Sequence, residues 1–142
     1  MIIDAHSHLW LKQDAVVDGQ PIQTLPTNGS RSIFFGEEVQ MLPPFMIDGI
    51  NSAEIFLSNM DYAQVGGAVV VQEVIDGNQN SYLAEVQRKY ANRFCCLGMA
   101  DSIQDVDRIM EIGLKGISIP GHRLLGTSLL NKMPLFKYLE EK

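Results

Sequence analysis

Residues 51–71 read NSAEIFLSNMDYAQVGGAVVV, and this stretch decides the fold class. It opens with Asn51-Ser52-Ala53-Glu54, which has the pattern of a capping box, with Asn51 or Ser52 as the cap and Glu54 reaching back to it. The apolar residues that follow recur at roughly helical spacing, and Gly66-Gly67 is expected to end the helix. The run Ala68-Val69-Val70-Val71 is typical of a parallel strand buried on both faces. The stretch therefore predicts one helix followed by one buried strand.

The same unit of helix and strand is repeated towards the C-terminus. Amphipathic helices are predicted over 81–91, from Ser102 to Gly113 and from Met133 onwards, and strands over 94–100 and 115–119. Short connections between alternating strands and helices are typical of right-handed βαβ units that build a parallel sheet. Together with the N-terminal strand, the sequence predicts an α/β fold of four strands and four helices.

Residues 11–50 depart from this regularity. Pro21, Pro26 and the pair Pro43-Pro44, with scattered glycines, exclude a long helix or a central strand, so we expect a long loop insertion at about 11–50. A loop of this length inside a compact domain is usually functional, typically as a lid or a substrate loop. An ordinary surface excursion is the alternative, and the sequence leaves both open.

Composition restricts the class of protein. The formal net charge of −6 and the lack of a basic stripe argue against a nucleic-acid partner. No stretch approaches the roughly 18 continuous apolar residues of a membrane span, and Asp4 and His6 interrupt the N-terminus where a signal peptide would be apolar. We therefore expect a cytoplasmic protein without a membrane partner. The adjacent pair Cys95-Cys96 is expected to consist of reduced, buried thiols.

The N-terminal strand ends in Asp4-Ala5-His6-Ser7-His8. Side chains alternate between the faces of a strand, so Asp4, His6 and His8 are expected to point to the same side. Two neutral imidazoles that converge on one point make half of a metal site. The alternative is a pair of partly buried histidines satisfied by hydrogen bonds. We favour ligation because Asp4 precedes the pair, and we expect this carboxylate to support the ligands rather than bind the metal itself.

This pattern resembles the amidohydrolase superfamily, in which a D-x-H-x-H motif lies on the first strand. The later elements are similar to the amidohydrolase-related branch, which includes lactonases and aminocarboxymuconate-semialdehyde decarboxylases. The stretches that carry the resemblance, from Met1 to Lys142, are Asp4–Leu9, the proline-bearing loop, Ser52–Val65, Val69–Gln72, Arg93-Phe94 and Leu114–Ile117. A TatD-like nuclease begins with a similar strand, but the long proline-bearing loop does not fit that family.

The resemblance implies a (β/α)8 TIM barrel of which this chain is the N-terminal half, with about four of the eight units over 1–142. It implies one or two divalent metal ions, commonly zinc, with His6 and His8 as ligands. Binuclear members carry a bridging lysine at the end of the fourth strand, whereas Lys115 lies at the opposite end here, so we expect one metal ion. The remaining ligands and the general base would belong to the missing half. The implied reaction is hydrolysis of a lactone or amide bond in a small carboxylated substrate by a metal-activated water.

Two alternatives to hydrolysis stay open. The same fold and metal support non-oxidative decarboxylation in the semialdehyde decarboxylases, so a lyase is the first alternative. The second is a half-barrel without catalysis. Four parallel strands left open present two unpaired edges, and these invite a homodimer or a larger assembly.

Polar residues follow the predicted strands at the edge where the active sites of such barrels collect. Arg123 could hold a substrate carboxylate with two hydrogen bonds, and His122 could be a hydrogen-bonding partner or a further ligand. Gln72 is a third candidate for substrate binding. The alternative for His122 and Arg123 is a solvated loop pair, and Gln72 begins a polar stretch whose composition also favours turns and caps.

Overall fold

The computed structural model describes residues 1–13 and 15–142, apart from the side chains of His122 and Arg123. Strand β1, Ile2–Ser7, opens the chain and ends between the two histidines of the motif. The pair therefore lies at the carboxyl end of β1, where the backbone leaves the sheet. His6 is held by the strand, and His8 follows directly after it.

The described part of 11–50 contains two small antiparallel sheets where the sequence predicted a loop. Their strands are β2 (Val16–Val17), β3 (Gln20–Pro21), β4 (Gln23–Leu25), β5 (Asn28–Phe34) and β6 (Glu37–Gln40). The first sheet pairs β2 with β3, and the second has the order β4-β5-β6.

Two tight hairpins explain these strands. Asp18 and Gly19 both have positive φ, at 49° and 78°, and Phe35 and Gly36 repeat this at 50° and 82°. Two-residue turns of this kind match the twist of antiparallel strands, and Asp-Gly is a strong sequence signal for them. Pro21 is tolerated because β3 is an edge strand of a two-stranded sheet.

The stretch that decides the fold class has the predicted order of elements with shifted bounds. Helix α1, Ala53–Tyr62, is capped by Ser52, whose hydroxyl accepts a hydrogen bond from the Ile55 amide. Strand β7, Val65–Val70, already includes Gly66 and Gly67. The helix ends earlier than expected because Gln64 adopts a left-handed φ of 58°. Helix termination thus did not need the glycine pair.

The remaining elements alternate as predicted, except that the single strand expected over 94–100 is divided at Leu97 into two. They are α2 (Asn80–Lys89), β8 (Phe94–Cys96), β9 (Gly98–Met99), α3 (Ile103–Glu111), β10 (Ile117–Ser118) and α4 (Met133–Glu140). Ser102 caps α3 by accepting from the Asp105 amide, and Gly113 follows the helix with a φ of 88°, both as expected. None of the helices in the described part of the chain is long and apolar enough to cross a membrane.

The parallel strands form two short hydrogen-bonded ladders, and the second begins in the sequence directly after the first ends. One has the order β1-β7-β8 and the other pairs β9 with β10, while Leu97 alone separates β8 from β9. The core contains the helix-facing residues of the strands together with the inner faces of α1, α2 and α3. These ladders make a mixed α/β fold, and closure into a barrel stays a prediction.

The opposite face of the sheet is open. Ile3 is 55% exposed and Cys95 is also exposed, while Val69 between them is half-buried. The prediction that both cysteines are buried is therefore wrong for Cys95. Consecutive strand residues point to opposite faces, and only the face of Cys96 is covered by helices.

Candidate metal centre

The two histidines of the N-terminal motif converge. His6 Nε2 and His8 Nε2 are 3.1 Å apart, and their ring centroids are 4.9 Å apart with the rings at 67°. Two imidazole nitrogens bound to one tetrahedral zinc ion at about 2.0–2.1 Å would be separated by roughly 3.3 Å. The spacing of this pair is close to that value. The same contact is also short enough for a hydrogen bond between one protonated and one unprotonated nitrogen.

The backbone around His8 is anchored by the far end of the 11–50 segment. Asn51 Nδ2 donates to the His8 carbonyl at 2.7 Å. Trp10 and Asn51 also exchange two backbone hydrogen bonds, at 3.0 and 3.1 Å, and Trp10 Nε1 donates to the Gly49 carbonyl at 2.9 Å. These contacts tie both ends of the segment together beside the histidine pair, so His8 lies in a fixed part of the backbone.

Asp76 lies behind His8 and was not predicted as a site residue. It ends the 3-10 turn Val74–Asp76 that follows β7, and it is only 2% exposed. Its Oδ2 lies 3.6 Å from His8 Nδ1, and neither of these buried atoms has a hydrogen-bond partner within the described residues. A carboxylate facing the second nitrogen of a histidine is the common support of a metal-binding imidazole.

The ionisation of Asp76 is set by its burial. Loss of water raises the pKa of its carboxyl group, and the hydrogen bond from Gln13 and the charge of His8 lower it, with burial the largest effect. Gln13 Nε2 donates to Asp76 Oδ1 at 2.9 Å. One oxygen is thus held by Gln13, and the other faces His8.

The Nε2 atoms of His6 and His8 fit a metal ion as two of its ligands. Behind them, His8 Nδ1 has no hydrogen-bond partner within the described residues and lies next to the Asp76 carboxylate. No group of three His, Cys, Asp or Glu side chains that could hold a metal ion occurs among the side chains that the structure describes. Further ligands would therefore come from beyond these residues.

Asp4 contacts the pair through the backbone. Its Oδ1 accepts a hydrogen bond from the His6 amide at 3.1 Å. This contact fixes the backbone at His6, and the expected support of the metal ligands by Asp4 stays a prediction.

Gln72 is fully buried and joins three segments of the protein. Its Nε2 donates to Asn80 Oδ1 at 2.7 Å and to the Leu97 carbonyl at 3.0 Å, and its Oε1 accepts from the Gln79 amide at 2.8 Å. These contacts give Gln72 a structural role in connecting β7 to its neighbours. Binding of substrate by Gln72 stays a prediction.

His122 and Arg123 lie in the 3-10 turn Gly121–Leu124 that follows β10. Their side chains are outside the described residues, so the expected contacts with substrate stay predictions. The backbone does place both residues just beyond the last parallel strand, at the carboxyl end where the sequence predicted them.

A cavity of about 490 Å³ lies next to the Asp76 turn, between the β2 hairpin and the carboxyl end of β9. Its volume is in the range of small-molecule sites. Neither His6 nor His8 lines it. The residues that do are Ala15, Val16, Val74, Gly77, Asn78, Met99, Ala100, Asp101 and Asp105.

Sequence reasoning missed Asp76 and Gln13. The polar run that begins at Asp76 predicts turn and cap residues, with hydrogen bonds to substrate as the alternative, and Gln13 lies in the segment predicted as a loop. One signal was present: Asp76 follows a buried parallel strand, and the carboxyl ends of parallel strands meet at one edge of a sheet. Nothing in the sequence pointed to Gln13.

Comparison with known proteins gives a fold but no family. No protein-family model and no curated protein matches the sequence. Among solved structures, the fold is similar to a probable 2-pyrone-4,6-dicarboxylic acid hydrolase from Acinetobacter baumannii with citric acid bound, at 18% identity and a TM-score of 0.55. A structure of an Agrobacterium tumefaciens protein in its apo form matches at 12% identity and a TM-score of 0.46, over 82% of this chain and 35% of that one. The first match covers 98% of this chain and 44% of the hydrolase, so this chain has the fold of less than half of that enzyme.

Proposed function

We propose that this chain carries the first two ligands of a metal-dependent hydrolase that cleaves a lactone or amide bond. The observation that carries the proposal is the convergence of His6 Nε2 and His8 Nε2 to 3.1 Å at the carboxyl end of β1. The similarity of the fold to part of a hydrolase supports the reaction class. The chain spans only 44% of the length of that enzyme, so hydrolysis by a complete active site is itself part of what we propose.

His6 and His8 would hold the metal through Nε2, and the other ligands would come from outside the described residues. A bound divalent ion such as zinc supplies Lewis-acid activation of water and of a substrate carbonyl. The chain's own residues orient the ligands: Asp4 holds the His6 amide, and Asn51 holds the His8 carbonyl. A ligand fixed by its neighbours needs little rearrangement on binding.

The proposed substrate is a small lactone that carries carboxylate groups. A 2-pyrone is a cyclic ester, and the similar hydrolase is named for one with two carboxyl groups. Arg123, just beyond β10, is the residue we propose for binding a carboxylate of this substrate. Decarboxylation on the same fold is the alternative reaction, and assays of ring opening and of CO2 release on the same substrate distinguish them.

Metal content of the purified protein tests this proposal. Elemental mass spectrometry of a size-exclusion peak is expected to find zinc bound to the wild type and lost in both His6→Ala and His8→Ala. Cys95→Ser is the matched control, because an exposed thiol can bind zinc adventitiously. Zinc that is retained by both histidine variants, or lost only in Cys95→Ser, would contradict the proposal.

A second proposal is self-association, and the open face of the sheet favours it. Parallel sheets are normally covered on both faces, whereas here Ile3 and Cys95 are exposed on the uncovered side. The outer edges of β1 and β10 have no neighbouring strand within the described residues. A second copy of the chain could cover this face and pair these edges under two-fold symmetry.

A further inference from the structure

The starting point is the fixed orientation of the Asp76 carboxylate. Asp76 is 2% exposed and Gln13 3% exposed, and the Gln13 amide donates to Oδ1 at 2.9 Å. A hydrogen bond between two fully buried side chains leaves the carboxylate little freedom to turn. Oδ2 is therefore the oxygen that faces His8 Nδ1, at 3.6 Å.

The position of Oδ2 decides which nitrogen of His8 carries the proton. At 3.6 Å the two atoms are too far apart for a hydrogen bond, so the interaction is electrostatic. An unprotonated Nδ1 would direct its lone pair at a buried carboxylate oxygen, whereas a protonated Nδ1 directs a positive hydrogen at it. An ionised Asp76 therefore favours the proton on Nδ1, and His8 Nε2 then keeps its lone pair.

The contact between the histidines agrees with this arrangement. An unprotonated His8 Nε2 can accept a hydrogen bond from His6 Nε2–H across their 3.1 Å separation in the metal-free protein. The same lone pair is the one that a metal ion needs. The arrangement thus prepares His8 for ligation before any metal is bound.

We propose that Gln13 and Asp76 act as a positioning pair that holds His8 in its Nδ1–H tautomer with Nε2 directed at a metal ion. The proposal rests on the metal site proposed above. It also assigns a role to the 11–50 segment, because the Gln13 carbonyl accepts from Thr24 Oγ1 on β4 at 3.0 Å. Through Gln13, the 11–50 segment would hold Asp76 on the Nδ1 side of His8, opposite the nitrogen that binds the metal.

The tautomer is measured by ¹⁵N NMR of the histidine side chains in the metal-free protein, with the His8 signals assigned by their loss in His8→Asn. Wild type is expected to show His8 with its proton on Nδ1. Asp76→Leu removes the acceptor, and Gln13→Met removes the donor at similar volume, so both are expected to lower the Nδ1–H fraction. In Asp76→Asn the amide oxygen accepts from Gln13 in place of Oδ1, so the NH2 group faces His8 Nδ1, and this variant is expected to lower the Nδ1–H fraction furthest.

Gln87→Met is the matched control for Gln13→Met. Gln87 is also buried and hydrogen-bonded, to the Phe94 carbonyl and the Cys96 amide, but none of these bonds involves the histidine pair. A variant that acts only through stability should behave like Gln87→Met, which is expected to leave the tautomer unchanged. Zinc affinity, measured by competition with a chromophoric chelator, is expected to fall about 10- to 100-fold in Asp76→Leu and less in Gln13→Met.

Failure of the positioning pair and failure of the metal site are separate results. A wild-type His8 with its proton on Nε2, or a tautomer that is the same in wild type, Asp76→Leu and Gln13→Met, would overturn the positioning role. An Nδ1–H tautomer that depends on Asp76 would support that role even if the wild type bound no zinc. Absence of zinc from the wild type would contradict only the proposed metal-dependent function.

Discussion

Asp76, in the turn that follows β7, is subject to two demands that conflict. A buried carboxylate such as Asp76, with one oxygen unpartnered within the described residues, lowers the stability of the fold when it is ionised. The same carboxylate suits a histidine that has to bind a metal. A residue that lowers stability where a ligand needs support is typical of functional sites.

Replacement of Asp76 by Asn should separate these two demands. Burial raises the pKa of Asp76, so stability is lost as the pH rises from the ordinary carboxyl value through the raised one. Asp76→Asn is therefore expected to be more stable than wild type at pH 7, by about 1 kcal/mol, and the gain should shrink below pH 4. Urea unfolding of the metal-free proteins at both pH values measures this. An Asn variant that is less stable at pH 7 would show that the carboxylate contributes to the fold.

The two adjacent thiols are expected to differ sharply in reactivity. Burial raises the pKa of the Cys96 thiol to about 12, whereas Cys95 lies on the open face of the sheet. Since the thiolate is the reactive form, a disulfide reagent at pH 8 should modify one thiol rapidly in the folded monomer, isolated at low concentration by size exclusion. Cys95→Ser should abolish the fast reaction, and Cys96→Ser should keep it. Rapid modification of both thiols would mean that β8 opens readily.

At the scale of elements, the 11–50 segment is held by close backbone contact rather than by a large core. Gly29 donates to the Ile47 carbonyl, and a Cβ added at Gly29 would lie 2.4 Å from the Gly49 nitrogen. Gly49 in turn accepts from the Trp10 indole next to His8. The segment is therefore connected to the histidine pair through contacts that tolerate no side chain at position 29.

Gly29→Ala is expected to destabilise the protein by roughly 1–3 kcal/mol, because the atoms it meets are backbone atoms that cannot move aside. Gly121→Ala is the control, since nothing lies within 4 Å of a Cβ there and its φ is not positive. Thermal unfolding of the two variants beside wild type gives the comparison. Equal stability of all three would show that the segment shifts easily.

At the scale of the whole molecule, the open face decides how the chain behaves in solution. Ile3 lies on β1 at the uncovered side, and the outer edge of this strand is unpaired within the described residues. If a second copy covers this face, Ile3→Lys should convert the assembly to monomers in light scattering after size exclusion. Tyr62→Lys, at a 93% exposed site on α1, should leave it unchanged. A monomeric wild type at high concentration would remove the self-association proposal.

The sequence by itself determined the order of the helices and parallel strands, a helix cap at Asn51 or Ser52, and the placement of His6 and His8 on one side of the chain. These follow from periodicity, capping and the alternation of strand side chains, which are local rules. The dipeptide Asp18-Gly19 is itself a sequence signal for a hairpin. The prolines that follow it, Pro21 and Pro26, favour a loop instead, so the sequence did not predict the strands on either side.

Only the tertiary structure decided which residues meet the histidine pair. Gln13 and Asp76 are 63 positions apart in the sequence, and Asn51 is 43 positions from the His8 carbonyl that it holds. Contacts between such distant residues depend on how the elements pack and leave no periodic signal. The exposure of Cys95 has the same origin, because a strand pattern tells which residues share a face but not whether that face is covered.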